Sequence, residues 1–344
     1  MEKKRIGWVD SLKGIGMLSV ILGHVVNGLK DADMYTQSNF MFASVQNIVD
    51  MYQMPLFAIA SGFLFEKVYW KNNELNFRKY NHQLLNIVFL YFLWEIIFCI
   101  VKLFASSHVN NEITISHLLF IPFKAVGPFW YFYVLVELYI FFGIKKIHDI
   151  PKYIFFPFSI ILALIGSFFR IYEIRWFEYA SFLFYQFFFF YGILLAKVEI
   201  KTLWRNFFVL ISLSISVILI SYNWSFETEI YYMPIISLII AICLSFLIVE
   251  FLKKIKIISF VNYVGKHCIE LYTMHIFFTS GCRLIVRKLS IGNVYLTVLL
   301  IYFISIFAPL ILARLFNYIK VYDYFYYPID VVSKRFSKEC SNDK

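Results

Sequence analysis

From Trp8 to Leu29 the chain reads WVDSLKGIGMLSVILGHVVNGL. An apolar run of this length crosses the hydrocarbon core of a bilayer as one helix. Yet this one carries Asp10, Lys13 and His24. At about 100° per residue, Lys13 and His24 fall within about 20° of each other, and Asp10 within about 40° of His24. The three therefore share one stripe, with Lys13 and His24 about 16 Å apart along it. Charges inside a membrane are costly unless they face a bundle interior or a wet cavity. The stripe therefore predicts a helix that lines a cavity enclosed by the rest of the chain.

The composition agrees with a polytopic membrane protein. Of 344 residues, 61% are apolar and only 16% charged, against about half apolar in ordinary soluble domains. The 41 Phe read as lipid-facing bulk and interfacial belts rather than a binding site. A net charge of +10 would suggest nucleic acid in a soluble protein. Here the cations cluster in short loops between apolar runs, so membrane topology explains them and no nucleic acid is expected. Cys99, Cys243, Cys268, Cys282 and Cys340 show no metal-ligand spacing and read as free thiols. Lys3, Lys4 and Arg5 precede the first run in the manner of a signal peptide, but the run is too long and too polar for one.

Ten spans are expected, near 8–29, 42–66, 84–105, 128–145, 153–170, 177–196, 206–222, 231–251, 266–286 and 294–316. Pro55 should kink the second, where Ser61-Gly62 offers a close-packing point. Residues 67–83 read as a polar loop, and 106–127 as a surface-lying or re-entrant segment. The expected fold is all-α, with about ten helices around a central polar cavity. Residues 1–320 form the membrane domain and 321–344 a short cytoplasmic tail. Of the 32 Lys and Arg, 23 fall on the side of the N-terminus and 8 on the other, while Lys13 lies within a span. That asymmetry predicts a cell-membrane protein with both termini cytoplasmic.

Ionisable side chains within spans are Asp10, Lys13, His24, Asp50, Glu95, Glu137, Glu270 and His275. Each is a functional candidate, with pairing between helices as the structural alternative. Glu95 reads as structural; Asp50, Glu137 and Glu270 stay open. His24 can act as acid or base near neutral pH. His275 shares a helix face with Tyr272, a pair that either binds an acceptor or serves only itself.

Four elements, taken together, resemble the acyltransferase 3 family of integral membrane enzymes, and most closely its fucose 4-O-acetylase-like branch. They are Asp10-Ser-Leu-Lys13-Gly14 followed by His24; Met54-Pro55-Leu56-Phe57 with Ser61-Gly62-Phe63; Phe129-Trp130-Tyr131-Phe132; and Glu270-Leu271-Tyr272-Thr273-Met274-His275. The family's basic residue before the first-helix His is usually Arg. Lys13 stands there instead, a point charge in place of a planar fork.

The resemblance implies an acyl-CoA-dependent O-acyltransferase. It would move acetyl from cytoplasmic acetyl-CoA to a hydroxyl of a carbohydrate, lipid-linked or at the cell surface, with no metal. On that reading His24 is the general base or an acyl carrier, and Asp10 holds Lys13. Lys13 with Lys67, Lys71, Arg78 and Lys79 draws the CoA phosphates. Tyr272, His275, Ser61, Trp130 and Glu137 border the acceptor. The rival class is a flippase or proton-coupled transporter of a glycan precursor, since intramembrane Asp, Glu and His also suit a proton relay.

Overall fold

Long apolar runs in a non-aqueous setting satisfy their backbone internally only as helices or closed barrels, and this chain folds as helices. The structure, a computed structural model, describes residues 5–32, 34, 40–104, 119–172, 177–198, 202–226, 233–255, 259–289 and 292–332. In chain order the helices are α1 Gly7–Lys30, α2 Phe40–Tyr69, α3 Phe77–Phe104, α4 Trp130–Gly143, α5 Lys145–His148, α6 Lys152–Ile171 and α7 Phe177–Lys197. They continue with α8 Thr202–Phe226, α9 Pro234–Lys254, α10 Ser259–Lys266, α11 Cys268–Lys288, α12 Val294–Tyr318 and α13 Tyr322–Tyr326.

The protein is an all-α polytopic membrane protein. Among the described residues, seven helices are long and apolar enough to cross a membrane: α1, α2 from Ser44, α3, α6, α7 from Ala180, α9 and α12. The other expected spans also fall on helices, and two of these lack one requirement. Helix α4 has 14 residues, about 21 Å of rise against a hydrocarbon core of about 30 Å. In α8 the described apolar stretch is only Arg205–Ile218. Helix α11 has 21 residues but carries Glu270, Arg283, Arg287 and Lys288. Most of the segment expected to lie on the membrane surface, residues 105–118, is outside the described residues.

The chain divides into two compact units, Met1–Glu66 with Tyr153–Ile311, and Lys67–Lys152 with Leu312–Lys344. In the first, α1 packs against α9, α10 and α11. Its apolar window is 72% buried, against 28% for α6, as expected of an enclosed helix. The α1–α10 crossing is made by glycines: a Cβ on Gly14 would meet the Val261 carbonyl, and one on Gly265 the Asp10 carbonyl. Gly62 and Gly192 do the same for α2 and α7, against Phe189 and Ile59, so Ser61-Gly62 does mark a close approach. Pro55 lies inside α2 without ending it. Arg283 of α11 donates to the Gly28 carbonyl at 2.8 Å. It thereby meets a carbonyl oxygen in the last turn of α1, where a cation is favoured.

In the second unit, part of the expected 67–83 loop is ordered structure. Strands Trp70–Lys71 and Glu74–Leu75 pair antiparallel around Asn72 and Asn73, whose φ values are 51° and 62°. Positive φ at both central residues is what a tight hairpin turn needs, and Asn tolerates it. Trp70 stacks on His148 with centroids 3.5 Å apart, and α3 begins directly after the hairpin. Glu95 of α3 is fully buried, and its Oε2 accepts the Gly127 N–H at 2.8 Å. Further N–H groups of Val126 and Phe129 also reach it. Its carboxylate holds the chain leading into α4, a structural role. Tyr326 of α13 is buried, with its carbonyl accepting from Asn86 Nδ2 at 3.3 Å.

Candidate active site

Helix α1 carries His24 near its C-terminal end, and α11 carries His275 in its second turn. The packing of α1 on α11 brings the two imidazoles to a centroid distance of 5.2 Å with their planes at 45°. His275 is 1% exposed, while His24 is half-buried. Nδ1 of His275 lies 2.8 Å from the Leu271 carbonyl and 3.0 Å from that of Tyr272. Both carbonyls can only accept, so Nδ1 carries the hydrogen and a neutral ring keeps its lone pair on Nε2. That Nε2 is buried with no hydrogen-bond partner among the described residues. Thr279 anchors the same turn, donating to the His275 carbonyl at 2.9 Å and lying 2.9 Å from Ser305 Oγ. The Tyr272 ring is 8% exposed and 6.4 Å from that of His275.

The other end of the α1 stripe holds an ion pair. Lys13 Nζ lies 2.8 Å from Asp10 Oδ1, and Asp10 Oδ2 is buried with no hydrogen bond among the described residues. Three further ion pairs of this unit were not anticipated from the sequence. Lys197 pairs with Glu66 at 2.7 Å, and Glu250 with Lys253 at 2.9 Å and with Arg205 at 3.6 Å. The only sequence signal was an acid at a span end with cations at neighbouring ends. Lys253 also stands 5.4 Å over the ring of Trp8.

Of the predicted site residues, the structure brings together His24, His275 and Tyr272. Asp10 and Lys13 form their own pair farther along α1. Ser61 is half-buried at the α2–α7 crossing. Trp130 and Glu137, both half-buried on α4, belong to the second unit, as do the exposed Lys67, Lys71, Arg78 and Lys79. Among the described residues no group of three or more His, Cys, Asp or Glu is arranged to hold a metal ion.

An all-α membrane protein with a histidine pair between α1 and α11 and a Lys–Asp pair on α1 is the class defined so far. The sequence model of the acyltransferase 3 family, described as an acyltransferase domain, matches residues 6–317, and the chain belongs to that family. No curated protein and no solved structure gives a match. Membrane acyltransferase activity follows from that membership.

Proposed function

We propose that the protein is an O-acetyltransferase of the cell membrane, with both termini cytoplasmic. It takes acetyl from cytoplasmic acetyl-CoA and places it on a hydroxyl of a surface carbohydrate or its lipid-linked precursor. The observation that carries this reading is the approach of His24 to His275. A His24 N–H turned toward the free lone pair of His275 Nε2 leaves the opposite His24 nitrogen unprotonated. That nitrogen removes the proton of the acceptor hydroxyl. The acceptor oxygen forms a bond to the thioester carbonyl carbon, the C–S bond breaks, and the departing thiolate takes the proton back from His24. His275 is a positioning residue on this scheme, and Tyr272 stands beside the acceptor. Lys13 attracts the CoA phosphates at the far end of α1, and the extended pantetheine arm carries the thioester inward toward His24. The exposed Lys67, Lys71, Arg78 and Lys79 raise the local donor concentration.

The test is acetyl transfer in membranes supplied with acetyl-labelled acetyl-CoA. Label should appear on glycan with the natural protein and vanish with His24→Ala, while the variant still accumulates in the membrane. Transfer by His24→Ala at the natural rate would remove His24 from the mechanism. A carrier of glycan precursors would move material and leave the label on CoA.

A further inference from the structure

A second polar cluster lies against α1 at Gly23, assembled from α2, α6 and α7 within the first unit. Asp50 Oδ1 accepts from Gln53 Nε2 at 2.7 Å. Gln53 therefore turns its Oε1 away, and that oxygen is buried with no hydrogen-bond partner among the described residues. Both oxygens lie close to one point on α1. A Cβ placed on Gly23, the residue before His24, would stand 3.5 Å from Asp50 Oδ1 and 3.5 Å from Gln53 Oε1. Arg170 approaches from the end of α6, its guanidinium 4.6 Å from the ring centroid of Phe184 and 5.3 Å from that of Tyr185. Arg170 and Asp50 are near enough to feel each other's charge, yet no direct ion pair joins them among the described residues.

We infer that this cluster is a binding subsite for the hydroxyls of an uncharged sugar ring. The donor set selects the ligand class. An anion would face the Asp50 carboxylate and the Gln53 carbonyl oxygen. A cation would face the guanidinium of Arg170. A metal ion would find a single carboxylate. A hydroxyl both donates and accepts, so adjacent hydroxyls of one ring can donate to Asp50 and Gln53 and accept from Arg170. Phe184 and Tyr185 are buried and lie beneath the guanidinium, so they hold Arg170 in place. Gly23 leaves α1 without a side chain where those oxygens converge, one residue from His24. That a sugar held there is the acetyl acceptor rests on the function proposed above; the binding itself does not.

The experiment is saturation-transfer NMR on the full chain in lipid nanodiscs. The probes are the methyl glycosides of a hexose, a 6-deoxyhexose and an N-acetylhexosamine. At least one should receive saturation from the natural protein. Asp50→Asn and Arg170→Gln should cut that signal at least tenfold. Gly23→Ala is the variant that cannot be dismissed as misfolded, because its methyl group meets its neighbours at ordinary contact distances. It should reduce binding while leaving the melting temperature unchanged. No saturation of any glycoside, or signals that survive Gly23→Ala and Arg170→Gln alike, would overturn the subsite. Sugar binding that these variants abolish, in a protein that transfers no labelled acetyl, would retain the subsite and reject the transferase reading. Transfer that proceeds with unchanged acceptor KM in the variants would do the reverse.

Discussion

Gly265 of α10 lies against the main-chain carbonyl of Asp10 in α1, so the two helices meet backbone to backbone beside the Asp10–Lys13 ion pair. A methyl group there has no flexible side chain to displace; it must push α1 itself. Gly265→Ala should therefore destabilise the protein by about 1–3 kcal/mol or more, the range for overpacked interiors. Gly281 of α11 is the internal control, since a Cβ there meets nothing within 4 Å. Gly281→Ala should leave stability unchanged or raise it slightly through helix propensity. Thermal unfolding of the two purified variants decides the matter, and equal melting temperatures would mean that the close crossing does not form.

Lys13 raises a different question, because its charge is needed both by Asp10 and, on the proposed mechanism, by CoA. Removing one partner of a buried pair costs about 3–5 kcal/mol. Here the Lys13 side chain is 20% exposed and that of Asp10 10%, which moves the expected loss for Lys13→Met toward the lower end. Adding Asp10→Asn removes the stranded carboxylate and should restore most of the lost stability. The KM for acetyl-CoA should stay raised at least tenfold in the double variant. A normal KM there would confine Lys13 to a structural role.

The helices were readable because each follows a run of apolar residues of the right length, and His24 because a basic residue, an acid and a histidine repeat on one face of α1. His275 was readable as an ionisable residue within a span, beside Tyr272 and inside one of the motifs that carry the resemblance. What joins it to His24 is the packing of α11 on α1, which no local pattern encodes. The eight-residue α10 was hidden for a related reason. Its cation-rich approach resembles a loop, and the role of Gly265 depends on a partner more than two hundred residues away. Arg170 looked like an ordinary cation at a span end, and nothing in its neighbourhood names Asp50. The hairpin at 70–75 did carry a signal, the Asn72-Asn73 pair, but its strands are too short for alternation to show.

The four cations Lys67, Lys71, Arg78 and Lys79 are all exposed, so any help they give to donor capture acts through solvent. Such interactions fade over a screening length of about 8 Å at physiological ionic strength and about 3 Å at 1 M salt. Replacing all four by Gln should raise the KM for acetyl-CoA several-fold at low salt. The difference from the natural protein should disappear near 1 M. A KM that is unchanged at low salt would leave these residues as topology determinants alone.

The histidine pair makes the sharpest demand on kinetics. If His24 removes the acceptor proton and His275 orients it, the two act as one unit, and groups that act as a unit are strongly non-additive when deleted. Each of His24→Ala and His275→Ala should lower kcat by about 10²–10⁴, the usual contribution of a positioned acid–base group. With His24 already absent, His275 has nothing left to orient. The double variant should then lose no more than about tenfold beyond His24→Ala, where independent sites would multiply their losses. Rates per unit of membrane-inserted protein, measured for all four forms of the cycle, test this. Losses that multiply would mean the 5.2 Å approach of the two rings is packing alone, with His275 serving the reaction, if at all, without His24.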